Sequence, residues 1–305
     1  MKVHQNIILN GQDMGDAAVR RFSKFCNEGK WENFIKPLLP DGEVFVEFGS
    51  NAGLFLRLAT EAGYKAIGFE RDKKDCGIAR QYRDNLRLNY KIVETQVDEK
   101  LDYLADITLL ANFHYHQHVS EFVNLLDSME TKTCYVLIVS VNDIKEPHWR
   151  AQPDQKSVER YFQHWDLVGQ INPIPQKNDP HPREMFSYLF KSKKIKRIPI
   201  EEIKPVGGKE GKEWEDMIAF VTQVLKDRNL DIKKTKYYKT QAERRKNKWS
   251  QETLDKFVAG KKDLILDIAD NGFRRPVILD NGLLVDGLHR YLTAIGLGQK
   301  GIIAR

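Results

Sequence analysis

The chain has 305 residues, of which 41% are hydrophobic and 30% charged, a composition typical of globular proteins and not of disordered or fibrous ones. No apolar run approaches the ~20 residues of a membrane-spanning helix, and no secretion signal is predicted. Three scattered cysteines are typical of a reducing compartment, so we expect a cytoplasmic protein. The net charge is +6, and its cationic excess lies in residues 193–305. We therefore predict two domains, 1–192 and 193–305, with an anionic partner for the second.

The first predicted elements surround a short glycine-rich segment. Residues 11–38 have helical spacing of apolar side chains, and residues 44–48 form an apolar run suited to a buried parallel strand. Residues 49–53 then predict a sharp turn, residues 54–62 a short helix, and residues 64–69 a second strand. Because a glycine turn that opens a helix leaves backbone N–H groups pointing at one spot, this segment predicts a ligand site.

The spacing of acids and glycines in this turn favours a cationic ligand. The segment reads Glu47-Phe-Gly49-Ser-Asn-Ala-Gly53, which differs from the dinucleotide pattern G-x-G-x-x-G. An acid at Glu47 would repel a pyrophosphate and would attract a cation. The segment resembles motif I, E/D-x-G-x-x-x-G, of the class I S-adenosylmethionine-dependent methyltransferases. Glu70 matches the acid that binds the ribose hydroxyls in that family.

The resemblance implies an S-adenosylmethionine site at the ends of the first strands. Gln96 and Val97 fall where the family binds adenine, and Asn112 is the last residue of the predicted fourth strand. The residues that the resemblance implies for the cofactor are Glu47, Gly49, Ser50, Asn51, Gly53, Phe55, Glu70, Arg71, Gln96, Val97 and Asn112.

The rest of the first domain alternates helices and strands. We predict helices over 72–85 and 119–130, strands over 90–95, 106–112, 134–141 and 185–190, and a turn over 162–174 through Trp165 and Gly169. This order predicts an α/β fold with a Rossmann-like, seven-strand methyltransferase sheet.

Polar and aromatic residues follow the fourth strand, at the sheet edge where ligands bind. The histidines of residues 114–118 lack an accompanying metal motif, so we expect no metal there. Phe113-His-Tyr-His116, Pro147-His-Trp149 and Pro182-Arg-Glu-Met-Phe186 resemble the methyltransferase half of the kinase–methyltransferases that terminate O-antigen chains. This resemblance implies a small-molecule, glycan or phosphorylated acceptor. His116 is then a candidate base, and Arg150 and Arg183 are candidate anion clamps.

The second domain carries a different resemblance. We predict helices over 213–230 and 254–271, a hairpin around Asp280-Asn-Gly282, and a helix that follows Val285-Asp-Gly-Leu-His-Arg290. Three stretches of this domain, residues 197–205, 268–279 and 285–294, resemble the ParB/sulfiredoxin fold, and most of all its free-serine-kinase branch. This resemblance implies a smaller α+β domain. A turn at the start of a helix suits a phosphate, so Asp286, Gly287, His289 and Arg290 are candidate nucleotide ligands for ATP or ADP with Mg²⁺. A kinase would also need a carboxylate, for which Glu201, Glu202 and Glu213 are candidates.

The segment 233–248 leaves a second function open. Its lysines and arginines are interleaved with Tyr237 and Tyr238, a pattern that suits nucleic acid or an anionic glycan. A helical charge run is also typical of a solvated face. The alternative to a methyltransferase that is also a kinase is therefore a phage-like nucleic-acid-binding protein. Its ParB-like domain would dock DNA or RNA for methylation.

Overall fold

The computed structural model describes residues 5, 7–9, 12–13, 28–113, 117–143, 161–175, 183–205 and 212–305. The chain divides into two compact units, Met1–Ile195 and Lys196–Arg305. Among the described residues, no helix is both long enough and apolar enough to cross a membrane.

A seven-stranded mixed sheet forms the centre of the first unit. Its strands are β3 (Val44–Phe48), β4 (Lys65–Glu70), β5 (Lys91–Glu94), β6 (Ala105–Ala111), β7 (Thr133–Asp143), β8 (Trp165–Pro175) and β9 (Arg183–Ser192). Their order is β5-β4-β3-β6-β7-β9-β8. Neighbours from β5 to β7 are parallel, and β9 is antiparallel to both β7 and β8. The predicted Rossmann-like α/β fold is therefore confirmed.

Helices cover both faces of this sheet, which explains why its central strands are almost continuously apolar. The helix Val119–Met129 packs Phe122 and Leu125 into a cluster on one face. The helix Leu54–Glu61 and the helix Lys73–Asn85 contribute to the cluster on the other face. Since β3 leads to β4 on one side and β6 lies on its other side, the strand order reverses at β3. This reversal is where open α/β sheets bind ligands.

The segments before β3 only partly follow the predicted helix. Residues 28–38 are helical, with a π-helical turn over Trp31–Ile35 and a 3₁₀ turn over Lys36–Leu38. Trp31, Phe34 and Ile35 are buried in the sheet-covering cluster. A two-stranded hairpin of β1 (Ile8–Leu9) and β2 (Gln12–Asp13) replaces the predicted start of the helix.

The turn predicted over residues 162–174 is wrong in part, because Trp165 begins the edge strand β8. Its pairing with β9 shifts register between Leu167 and Gly169. A glycine inside a strand commonly marks such a bulge. The glycine that suggested a turn therefore marks an irregularity in a continuous strand.

The second unit combines two small sheets with four helices among its described residues. Strands β10 (Lys196–Pro199) and β14 (Gly301–Ala304) pair with each other, and β11 (Lys204–Pro205), β13 (Leu283–Asp286) and β12 (Ile278–Asp280) form the other sheet in that order. The helices are Lys212–Lys226, Lys236–Arg245, Gln251–Asn271 and Leu288–Gly296. The hairpin predicted around Asn281-Gly282 is present, and both residues have the positive φ typical of a tight hairpin. Whether this unit is ParB-like stays a prediction.

Candidate cofactor site

The glycine turn after β3 depends on three left-handed residues. Gly49, Asn51 and Gly53 have φ values of +68°, +53° and +85°, a conformation that glycine and asparagine adopt most readily. A Cβ on Gly53 would also lie 3.1 Å from the Tyr90 hydroxyl oxygen and 3.2 Å from the Cβ of Ala79. Both the backbone conformation and the packing therefore require glycine at the start of the helix Leu54–Glu61.

The turn does not present the free N–H groups expected from the sequence. Its amides donate inside the protein. Gly49 and Ser50 donate to the carbonyl oxygen of Phe69 (2.9 and 3.3 Å), and Gly53 donates to the carbonyl oxygen of Ser50 (3.0 Å). Asn51 donates to Oε2 of Glu70 (2.9 Å), and Leu54 donates to Oε1 of Gln5 (3.0 Å). That expectation is therefore wrong for these five amides. A pyrophosphate would find few donors here, because the tight turn directs its amides to its own neighbours.

Glu70 connects the turn to the next helix. Its carboxylate is buried, with Oε2 accepting from the Asn51 amide and Oε1 accepting from the Asp72 amide at 2.8 Å. Asp72 in turn caps the helix Lys73–Asn85 by accepting from the amides of Lys74 and Asp75. Glu70 thus lies at the carboxyl end of β4, beside the turn, where the sequence predicts it. Its role as a ribose ligand stays a prediction.

Four buried oxygen atoms at this edge have no hydrogen-bond partner among the described residues. They are Oε2 of Glu47, Oγ of Ser50, Oδ1 of Asn51 and Oδ1 of Asn112. The amide oxygens of Asn51 and Asn112 are acceptors only, the serine hydroxyl can also accept, and the Glu47 carboxyl group is an acceptor only when it is ionised. Glu47 lies near the end of β3, two residues before Gly49, and Asn112 directly follows β6. Both residues therefore lie at the strand reversal. Because buried polar groups are normally paired, this edge suits a ligand with several N–H or O–H donors.

Glu47 is the strongest electrostatic feature of the site. Its side chain is 1% exposed, and burial raises its pKa well above the ordinary value of a carboxyl group. The nearby Glu70 raises the pKa further, whereas the buried Lys30 lowers it. A bound cation would favour the charged form of Glu47, because it would replace the solvation that burial removes.

The other predicted cofactor residues occupy different environments. Phe55 is 5% exposed and packs in the core cluster around the helix Leu54–Glu61, so its side chain is structural. Val97 is buried in the cluster on the opposite face, where it accompanies Phe48. Arg71 and Gln96 are exposed. The structure therefore brings the turn residues, Glu70 and Asn112 together, and it places Phe55 in the core.

Two residues at the site carried no recognisable signal in the sequence. Gln5 reaches the turn from far along the chain, and Lys30 acts on Glu47 from the segment before β3. Neither belongs to a motif, and their contacts depend on tertiary packing. A lysine beside the apolar Trp31 gave no indication that its side chain would be buried.

The predicted acceptor residues are mostly outside the described part of the chain. His116 and Arg150 lie outside it. Arg183 begins β9, where its backbone pairs with Asp143, and nothing is described of its side chain. Within the described residues, no group of three or more His, Cys, Asp or Glu side chains could hold a metal.

In the second unit, Asp286, Gly287, His289 and Arg290 lie together at the turn between β13 and the helix Leu288–Gly296. The Arg290 guanidinium donates from Nη1 to the carbonyl oxygen of Pro276 at 2.6 Å and from Nη2 to Asp286 at 3.0 Å. Two of its nitrogens therefore stabilise the turn. The candidate carboxylates Glu201 and Glu202 lie in an exposed 3₁₀ turn, and the side chain of Glu213 is outside the described part.

The two tyrosines of residues 233–248, Tyr237 and Tyr238, are core residues. Tyr237 stacks on Phe220 with ring centroids 5.0 Å apart, and the Tyr238 hydroxyl bonds to Asp255. The stacking of bases requires exposed rings, whereas these rings are 3% and 7% exposed. The exposed surface of this segment therefore offers charge and not aromatic platforms.

Comparison with known proteins gives structural neighbours only. No family model matches the sequence, and no curated protein is similar to it. TehB from Haemophilus influenzae is 13% identical with a TM-score of 0.47, and the match covers 57% of this chain and 65% of TehB, just under two thirds of its length. The PH0226 protein from Pyrococcus horikoshii OT3 is 13% identical over 58% of this chain and 99% of its own, with a TM-score of 0.45. Magnesium protoporphyrin IX methyltransferase from Synechocystis PCC 6803, solved with bound SAM, is 13% identical over 52% of this chain and 73% of its own, with a TM-score of 0.41.

Proposed function

We propose that the first unit is an S-adenosylmethionine-dependent methyltransferase. The observation that carries this proposal is the excess of unpaired acceptors over free backbone donors at the strand reversal, among the described residues. Five amides of the turn donate within the protein, while buried oxygens of Glu47, Asn51 and Asn112 have no hydrogen-bond partner among the described residues. S-adenosylmethionine has an ammonium group, a sulfonium and hydroxyl donors, whereas a dinucleotide would bring a pyrophosphate against Glu47.

The residues present fit this cofactor. Glu47 and Asn112 would accept from its ammonium group, and Glu70 would accept from the ribose hydroxyls by analogy with the family. Gln96 and Val97 would lie nearest the adenine. The bound cofactor supplies an electrophilic methyl group. The protein's own task is to hold the acceptor in line with that group, and such positioning accounts for much of the rate of bimolecular transfers.

We propose an anionic acceptor, and in particular a phosphorylated small molecule or glycan. The support is the resemblance of the segments around His116, Arg150 and Arg183 to enzymes that methylate a phosphate. Arginine binds phosphate through two parallel N–H bonds, and histidine can accept a proton near neutral pH. Alanine variants of these three residues should keep cofactor binding and lose turnover. Loss of both together would indicate a folding defect.

The proposal for the cofactor is tested by calorimetric titration with S-adenosylhomocysteine. Glu47→Gln keeps the size of the side chain and removes its charge, so it should weaken binding. Glu94→Gln is the matched control, because Glu94 ends β5 as an exposed carboxylate that pairs loosely with Arg80 at 3.8 Å. Equal affinities for both variants would contradict the proposed site.

For the second unit we propose an anion-binding role, and a nucleotide is the first candidate. The support is the turn at Gly287, where the helix Leu288–Gly296 begins with no side-chain cap from the described residues. The helix thus keeps its N-terminal partial charge near Arg290. Transfer of labelled phosphate from ATP or ADP in the presence of Mg²⁺ would identify a kinase. Salt-dependent binding of DNA or RNA would favour the docking alternative, with exposed lysines such as Lys239 and Lys246 as contacts.

A further inference from the structure

The helix after the glycine turn begins without a cap of its own. Its first flanking residue, Gly53, has no side chain, and no side-chain cap is present at this position. Helices usually begin with a serine, threonine, asparagine or aspartate whose oxygen accepts from an orphan amide. The left-handed backbone of Gly53 disfavours serine, threonine and aspartate, and a Cβ at this position would lie only 3.1 Å from the Tyr90 hydroxyl oxygen. The first amides therefore need an acceptor from elsewhere.

Gln5 supplies that acceptor from 49 residues earlier in the chain. Its Oε1 accepts from the Leu54 amide at 3.0 Å, and its Nε2 donates to the carbonyl oxygen of Ser50 at 3.4 Å. One amide side chain therefore connects the two ends of the turn that contains Asn51. Gln5 is 7% exposed, so both bonds are shielded from competing water.

The residues around Gln5 hold it in place. We call Gln5, Ile7–Leu9 and Gln12–Asp13 the N-terminal strap. Ile7 is fully buried and packs in a small cluster with Ala52, Ile78 and Tyr82, and β1 lies against the helix Lys73–Asn85. Because Ala52 belongs to the glycine turn, the strap contacts the turn through both polar bonds and apolar packing.

We infer that Gln5 is a positioning residue for the cofactor site, acting as the cap that the glycine turn cannot provide. This inference rests on the proposed cofactor. By fixing Ser50 and Leu54, Gln5 limits the conformations of the peptide that carries Asn51. It thereby holds the buried acceptors in one arrangement before the ligand arrives, and such preorganisation increases affinity without a direct contact.

Two variants of Gln5 separate capping from packing. Gln5→Met keeps the length of the side chain and removes both its acceptor and its donor. Gln5→Glu keeps an acceptor for the Leu54 amide and, when protonated, an O–H donor for the carbonyl oxygen of Ser50. We expect Gln5→Met to speed hydrogen exchange of the Leu54 amide, followed by NMR in ligand-free protein. It should also lower affinity for S-adenosylhomocysteine about three- to tenfold, the effect of one lost net hydrogen bond. Gln5→Glu should keep the protection of Leu54 at acidic pH, where its carboxyl group is protonated and can donate to Ser50. Ile8→Ala, at a strap residue that is 65% exposed, should change neither quantity.

Three results would overturn the inference. One is normal exchange at Leu54 in Gln5→Met, and another is faster exchange with unchanged affinity. The third is a Gln5→Glu variant that exchanges as fast as Gln5→Met at acidic pH. If the wild-type protein does not bind S-adenosylhomocysteine, the proposed function fails, whereas exchange at Leu54 still decides whether Gln5 holds the turn.

Discussion

Replacing Glu47 by glutamine should make the protein more stable and its cofactor binding weaker. Glu47 is 1% exposed, and burial is the largest cause of its raised pKa. Burial of the ionised Glu47 at the strand reversal therefore lowers the free energy of unfolding. Glutamine has nearly the same shape and no charge to desolvate. Replacing a functional carboxylate raises the stability of the protein and weakens ligand binding, whereas replacing a structural carboxylate lowers the stability.

The pH dependence of the stability change has a defined sign. Below the ordinary pKa of a carboxyl group, Glu47 is protonated in both states and contributes nothing. As the pH rises, the unfolded chain loses its proton first, so the folded state binds more protons and the free energy of unfolding falls. That penalty is complete only above the raised pKa of folded Glu47. Thermal unfolding should therefore show a Tm gain for Glu47→Gln that is near zero at pH 4 and grows toward pH 8.

The effect on binding follows from the charge of the ligand. A hydrogen bond to a charged group contributes about 1.5–3 kcal/mol, so affinity for S-adenosylhomocysteine should fall by about 10- to 150-fold. In the wild type, affinity should rise with pH as Glu47 ionises, and in Glu47→Gln this rise should be reduced. Lys30 and Glu70 also act on Glu47, so calorimetry at several pH values should include a variant of each. A Glu47→Gln variant that is destabilised and binds normally would refute the reasoning.

Three further predictions concern the turns. Glu70→Ala should leave two backbone amides without their acceptor, lowering the free energy of unfolding by about 1–3 kcal/mol in urea titrations and weakening cofactor binding measured by calorimetry; unchanged values would contradict its role. Gly53→Ala should cost more stability than Gly63→Ala, because both glycines have positive φ but a Cβ on Gly63 meets no atom within 4 Å; equal costs in urea would exclude the steric contact. Arg290→Met should lower the free energy of unfolding in urea by about 1–2 kcal/mol, because it loses a partly buried hydrogen bond to the carbonyl oxygen of Pro276. The exposed Arg274→Met should have a smaller effect.

The strands and the glycine turn could be predicted because their signals are local. An apolar run followed by Gly49 and Gly53 specifies strand, turn and helix within a few residues, whatever the rest of the chain does. Gly169 shows the limit of such signals, since a glycine marks a bulge as readily as a turn, and only the pairing of β8 with β9 decides between them.

The occupied amides of the turn could not be predicted, because their acceptors lie elsewhere in the chain. The carbonyl oxygen of Phe69 comes from the neighbouring strand, and Oε1 of Gln5 comes from the strap. A charge pattern also does not predict which side chains are buried: Tyr237 lies in a basic segment of the second unit and is a core residue. The sequence therefore predicts a candidate site at the glycine turn, while tertiary packing determines which of its groups remain free of protein partners among the described residues.

The most direct test of the account is a calorimetric comparison of S-adenosylhomocysteine and NAD⁺ on the wild-type protein at pH 8. Both ligands carry adenosine, but only the first carries an ammonium group, and only the second carries a pyrophosphate. We predict one S-adenosylhomocysteine per chain and no NAD⁺ binding at the same concentrations. Binding of NAD⁺ without S-adenosylhomocysteine would contradict the account, because the site would then accept a pyrophosphate against Glu47.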